Sequence, residues 1–218
     1  VEARPFRDDA VSPTSSRPGV VSVRAGGVGR NVATCVGLLN RARGDPKDVP
    51  VLVSPVANDD FGSVVRASLE RAGVSTEGLL LTDTRTNGAP KKVRTPCVVR
   101  VLDAQGQLLR SVADFELELR ESDVTTPLAV ALMLTAAVVV VDGNAAVLLP
   151  SVLAQTEANG GMIFFEPTSV SKAGGVVPFL SRVAVITPNA DELVALAAEV
   201  RRVRSVVPSA LLKRVRTV

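Results

Sequence analysis

Met162-Ile163-Phe164-Phe165-Glu166-Pro167-Thr168-Ser169-Val170-Ser171-Lys172-Ala173 opens on four apolar residues and stops on a carboxylate and a proline. A short apolar run closed by a turn signal reads as a buried strand. Two runs of the same kind flank it: Val138 to Val141, ending in Asp142-Gly143-Asn144, and Val183 to Ile186, ending in Thr187-Pro188-Asn189. Helix-length segments separate the three. Repeated strand, helix, strand units predict a parallel sheet with helices on both faces. In such sheets ligands gather at the carboxyl ends of strands, where Asn144, Glu166, Asn189 and Glu192 all fall.

Upstream, Leu128 to Val141 is apolar but too short for a bilayer core, which needs about 20 residues. Thr135 divides it into a helix-like Leu128 to Leu134 and a β-branched strand, Ala137 to Val141. Val98 to Leu102 and Leu108 to Val112 flank Asp103-Ala104-Gln105-Gly106, a hairpin signal. Val51 to Val56 predicts a strand, and Asn58-Asp59-Asp60-Phe61-Gly62 a turn before a helix over Ser63 to Ala72. Asp59 and Asp60, side by side at that helix start, stabilise it through the macrodipole. Val20 to Val23 predicts a strand running into Gly26-Gly27, and Asn31 to Leu39 a helix whose first residue can satisfy free backbone N–H groups. Val1 to Arg17, rich in Pro, Ser and charge, predicts an irregular loop.

Composition removes several classes of function. At 218 residues, 46% hydrophobic and 22% charged, the chain suits one α/β domain. Aromatic residues make up only 3%, with no Trp or Tyr, so base-stacking platforms are scarce and nucleic acid is not an expected partner. There is no histidine, which excludes Ser-His-Asp and Cys-His nucleophile systems and a His/Cys zinc cage. Cys35 and Cys97, without a signal-like leader, fit a reducing cytoplasm better than a disulfide scaffold. The basic tail with Arg201, Arg202, Arg204, Lys213, Arg214 and Arg216 reads as a solvated helix face. Neither Gly-x-x-x-x-Gly-Lys-Ser/Thr nor Gly-x-Gly-x-x-Gly occurs, against a P-loop or a dinucleotide fold. Adjacent Asp59 and Asp60 do not make an opposed glycosidase pair.

What remains is a set of polar residues beside glycine turns and strand ends. Gly26 and Gly27 let backbone approach a ligand closely, and Asn31 has both a donor and an acceptor for its polar groups. Thr95, ahead of the hairpin, is either a substrate contact or an ordinary strand threonine. Asn189 and Glu192, three residues apart, can face the same end of the sheet; an amide and a carboxylate acting partly through water suit a magnesium-nucleotide site. The same spacing also predicts reciprocal helix capping, and both readings hold together. Lys172 can pair with Glu166 or approach a phosphate.

Three segments in fixed order, Gly26-Gly27-Val28-Gly29-Arg30-Asn31-Val32-Ala33, Phe165 to Ala173, and Thr187-Pro188-Asn189-Ala190-Asp191-Glu192-Leu193, resemble the PfkB (ribokinase-like) family of small-molecule kinases. Within it, Glu-Pro-Thr-Ser-Val-x-Lys-Ala is similar to the pseudouridine kinase branch, including forms fused to a pseudouridine-phosphate glycosidase. Asp59-Asp60-Phe61-Gly62 with Ala72-Gly73-Val74 is also familiar from the family. The resemblance implies a ribokinase-like three-layer α/β sandwich with a mostly parallel central sheet and a small β lid, present in truncated form as one partial domain over 1–218. Residues 17–115 would hold the sugar motif and lid, and 116–218 the sheet strands with the magnesium-nucleotide turn. It further implies ATP and Mg2+; substrate contacts from Gly26, Gly27, Asn31, Thr95 and Asn144; nucleotide contacts from Lys172 and Asn189; and metal support from Glu166 and Glu192.

The family's opening Gly-Gly-x-x-x-Asp strand and its late Asp-Thr-x-Gly-Ala-Gly-Asp turn, which carries the catalytic aspartate, do not occur. With the likeness running from about Arg4 to about Ala198, the chain reads as the middle of a kinase holding no catalytic residue of its own. The expected reaction is phosphorylation of pseudouridine on its 5′-hydroxyl. The rivals are a ribokinase- or adenosine-kinase-like enzyme and a non-catalytic remnant or regulatory module of a fusion protein. The partners so implied are a small nucleoside or sugar, a fused glycosidase domain and a second copy docked through the lid, with no membrane.

Overall fold

A computed structural model describes residues 1–5, 16, 18–44, 48–82 and 93–206. They gather into two compact units, Val1–Leu119 and Arg120–Val218.

In the first unit, strands β1 (Glu2–Pro5) and β2 (Gly19–Ser22) pair antiparallel. Helix α1 (Val28–Arg43), strand β3 (Ser54–Ala57), helix α2 (Asp60–Ala72) and strand β4 (Leu79–Thr82) follow, β3 and β4 pairing in parallel. β5 (Cys97–Leu102) and β6 (Leu108–Asp114) form the expected hairpin, and the four-stranded order is β2-β1-β5-β6. Its turn closes as the sequence predicts: Gly106 adopts φ 87°, and Asp103 Oδ1 accepts from the Gln107 amide at 2.7 Å.

Three expectations need correction here. Glu2–Pro5 is a strand rather than loop, held by β2 on one side and, at Glu2 and Ala3, by β5 on the other. Pro5 lies beyond the β5 pairing, so its missing N–H costs nothing there. The second strand is shorter than Val51 to Val56, with Val51 making only an isolated bridge to Ser75. Both helices start earlier than expected: α1 at Val28, with Gly27 as its N-cap residue, and α2 at Asp60, capped by Asp59. α1 and α2 close over a core of Ala33, Val56, Leu69, Ala72, Val74 and Leu79.

The second unit begins with helices α3 (Glu121–Val124) and α4 (Pro127–Thr135). Thr126 caps α4, its hydroxyl accepting from the Ala129 amide at 3.2 Å, and Thr135 ends it, as the sequence split implies. Strands β7 (Val138–Asp142), β8 (Met162–Glu166) and β9 (Val185–Ile186) form a parallel sheet in that order. β9 is shorter than Val183 to Ile186, although Ala184 N–H and Thr187 N–H still reach the Ile163 and Phe165 carbonyls at 2.8 and 3.1 Å. Helix α5 (Leu149–Glu157) connects β7 to β8, and α6 (Ala190–Val206) follows β9. Leu149, Leu153, Ile163, Phe165 and Val176 are almost fully buried and make the core. Among the described residues no helix is long and apolar enough to cross a membrane.

Candidate functional site

The glycine turn of the first unit is shaped by backbone conformation. Gly27 sits at φ 95°, a region that side chains disfavour, and its carbonyl accepts the Asn31 amide at 2.9 Å to open α1 without any side-chain cap. Asn31 is therefore inside the first turn, not its cap, and its side chain is released from that duty. Gly26 has no positive φ, and a Cβ there would meet nothing within 4 Å. Neither backbone conformation nor packing asks for glycine at 26, which is exposed, as is Asn31. Asn31 Oδ1 accepts from Arg30 Nη2. Arg30 Nη1 donates to Ser68 Oγ on α2 at 2.9 Å, and burial holds the guanidinium below its ordinary pKa.

Thr95 faces the protein rather than the turn. It is 3% exposed; its amide donates to Asp59 Oδ2 at 2.8 Å and its hydroxyl to Asp59 Oδ1 at 2.7 Å, while the Ala57 amide donates to the same hydroxyl at 3.0 Å. Asp59 Oδ1 also accepts the Gly62 amide at 2.7 Å. Thr95, just ahead of β5, thus locks the end of β3 to the start of α2.

In the second unit the ends of all three strands are tied together. Thr187, just past β9, donates its hydroxyl to Glu166 Oε2 at 2.5 Å, and Glu166 Oε1 accepts the Thr168 amide at 3.2 Å. Thr168 Oγ1 in turn accepts the Gly143 amide at 3.0 Å, linking β8 to β7. Thr168 holds φ 69°, costly for a β-branched residue, and a conformation of that kind persists only where its surroundings over-determine it. A Cβ on Gly143 would drive into the Pro167 carbonyl, so only glycine lets the two turns approach this closely. Lys172 does not pair with Glu166; its ammonium donates to Asn144 Oδ1. Asn189 Oδ1 accepts the Glu192 amide and Glu192 Oε2 accepts the Asn189 amide, each at 3.0 Å, a capping box at the head of α6. Glu192 is only 4% exposed.

The structure thus groups Gly26, Gly27 and Asn31 in one turn, and Asn144, Lys172 and Glu166 at adjoining strand ends, with Asn189 and Glu192 opening the helix after the third. Sequence reasoning assigned no role to Thr168, Thr187 or Arg30. All three lay within quoted motifs, and the first two were recognisable as hydroxyls beside a carboxylate; Arg30 carried no signal of its own, because neighbouring residues on a helix do not face each other.

Comparison with known proteins shows the family and the fold. The profile of the pfkB family carbohydrate kinases matches residues 4–210. A pseudouridine kinase from Arabidopsis thaliana is 26% identical over 185 residues, covering 83% of this chain and 43% of its own length. A putative sugar kinase from Clostridium perfringens superposes with a TM-score of 0.70 at 20% identity, over 90% of this chain and 57% of its own. A fructokinase from Xylella fastidiosa, solved with bound ATP, gives 0.61 at 20% identity, over 92% and 61%. The chain spans less than half the length of the curated relative and somewhat over half that of these structures. With a ribokinase-like fold and a family match over nearly its whole length, the chain belongs to the pfkB family of carbohydrate kinases.

Proposed function

We propose that the protein to which this chain contributes transfers the terminal phosphoryl group of ATP to a hydroxyl of a nucleoside or sugar, with pseudouridine the first candidate. The observation that carries the reading is Gly26: nothing in the chain's own packing or backbone requires a glycine there, since a Cβ would meet nothing within 4 Å and its φ is not positive. Likeness to the Arabidopsis pseudouridine kinase and the Glu166-Pro167-Thr168-Ser169-Val170 segment support pseudouridine over ribose or adenosine.

In this reading Gly26, Gly27 and Asn31 hold the sugar; in the second unit Asn144 accepts from Lys172 and offers a polar group of its own. Lys172 and Asn189 serve the nucleotide. Glu166 and Glu192 would hold Mg2+, which when bound neutralises phosphate charge. The donor set suits a hard cation that keeps much of its water, since Glu166 and Glu192 each keep oxygen lone pairs beyond their protein bonds. Among the described residues no group of three or more acidic, His or Cys side chains makes a closed cage. Thr95 contributes by stiffening the turn at Asp59. The free thiols Cys35 and Cys97 fit a reducing cytoplasm. A groove of about 330 Å3 lined by Arg4, Val20, Val21, Val101, Leu102 and Leu109 supports docking of a second lid, and the pseudouridine kinase likeness supports a fused glycosidase.

The 218 residues lack the Gly-Ala-Gly-Asp element, so in this reading they bind nucleoside without turning it over. The test measures binding of pseudouridine, ribose and adenosine to the purified chain, and phosphorylation with ATP and magnesium. Preferential pseudouridine binding without turnover supports the reading; tighter ribose or adenosine binding moves it to the rival kinases. Turnover at an ordinary kinase rate, on the order of 1–100 per second, would show that the catalytic machinery lies within these residues.

A further inference from the structure

Arg30 links Asn31 to the neighbouring helix α2. Its Nη1 is anchored on α2 by Ser68 Oγ at 2.9 Å and lies 3.4 Å from Thr34 Oγ1, its Nε is buried without a partner, and its Nη2 donates to Asn31 Oδ1. The anchorage on Ser68 fixes the guanidinium independently of Asn31. A guanidinium offers only donors. The edge of the Asn31 amide turned towards it must therefore be the oxygen, because the NH2 edge would set donor against donor. Charge strengthens that preference. The Asn31 NH2 is left with no partner among the described residues, on an exposed side chain.

We infer that Arg30 is a positioning residue that fixes Asn31 as a donor only, so that the pocket selects ligands presenting an acceptor oxygen, a hydroxyl or carbonyl, at that point. The inference rests on the reading of Asn31 as a pocket residue given above, and it sharpens that reading: an amide free to turn would accept from or donate to a hydroxyl alike, whereas this one only donates. An arginine suits the task because its planar fork bonds Ser68 and Asn31 simultaneously, which a lysine ammonium on a flexible stem does less well.

The test uses the 218-residue chain, pseudouridine as the probe, calorimetric Kd values and urea midpoints. Asn31→Asp keeps an oxygen on Arg30 but has no N–H to donate. It should retain the parent's urea midpoint yet bind about tenfold more weakly, matching Asn31→Ala, as loss of one hydrogen bond implies. Arg30→Met should weaken binding several-fold in the parent and add nothing in the Asn31→Ala background. Parent-like binding by Asn31→Asp overturns the inference while leaving Asn31 in the pocket, and so does an equal effect of Arg30→Met in both backgrounds. Parent-like binding by Asn31→Ala, or no binding by the unmodified chain at millimolar pseudouridine, refutes the pocket reading itself and the inference with it.

Discussion

Thr95 grips both carboxylate oxygens of Asp59, one through its amide at 2.8 Å and one through its hydroxyl at 2.7 Å, across 36 positions of sequence. Replacing it with valine keeps the shape and removes the hydroxyl. The Ala57 amide and Asp59 Oδ1 then lose a buried partner, at a cost of about 1–3 kcal/mol. The urea midpoint of Thr95→Val should fall, with pseudouridine affinity measured well below that midpoint unchanged. A weakened affinity at intact stability would return Thr95 to the substrate site.

Glu192 has two proposed duties that one substitution separates. Glutamine accepts the Asn189 amide as glutamate does, so Glu192→Gln should preserve the capping box and the urea midpoint. Removal of its charge should raise the magnesium concentration needed for ATP binding, read by nucleotide titration at several metal concentrations. Identical magnesium curves would reduce Glu192 to a helix cap. Glu192→Ala should lose the cap as well, at about 1 kcal/mol.

Gly143→Ala should be among the most damaging small substitutions in the second unit. The new methyl meets the backbone of Pro167, which cannot swing aside as a side chain would. A cost of about 2 kcal/mol or more follows from overpacking. Hydrogen exchange should quicken in β7 and β8 while amides of the first unit keep their protection.

Arg182 donates to both carboxylate oxygens of Glu157, at 3.0 and 2.6 Å, and holds that carboxyl below its ordinary pKa. A carboxyl depressed in the folded state adds stability that is present above its unfolded pKa and lost as pH falls through the folded one. Both groups are about two-fifths exposed, so solvent and salt screen the contribution and it is small. A double-mutant cycle of Glu157→Gln with Arg182→Gln should show this coupling at pH 7 in low salt; it should weaken as pH falls below the ordinary carboxylate range, and vanish in molar salt.

Local signals were legible. The hairpin at Gly106, the break at Thr135 and the apolar runs ending at Asp142 and Glu166 each declare themselves within a few residues, because turn chemistry and periodicity act at that range. β1 did not, since Glu2 to Pro5 looks like loop until β2 and β5 supply its hydrogen bonds from distant sequence. The same reason hid the hold of Thr95 on Asp59 and turned Lys172 to Asn144 rather than Glu166. Asn31 was legible as a residue type at a helix start, but its orientation depends on a guanidinium moored on another helix.

The emptiness around Gly26 separates two kinds of failure. At most positions a lesion that harms activity also loosens the fold, so abundance and heat resistance report on both. A methyl at 26 touches nothing of the chain itself. If Gly26 borders the sugar as proposed, such a variant would pass every screen for expression, solubility and melting, and reveal itself only in a measurement of ligand binding.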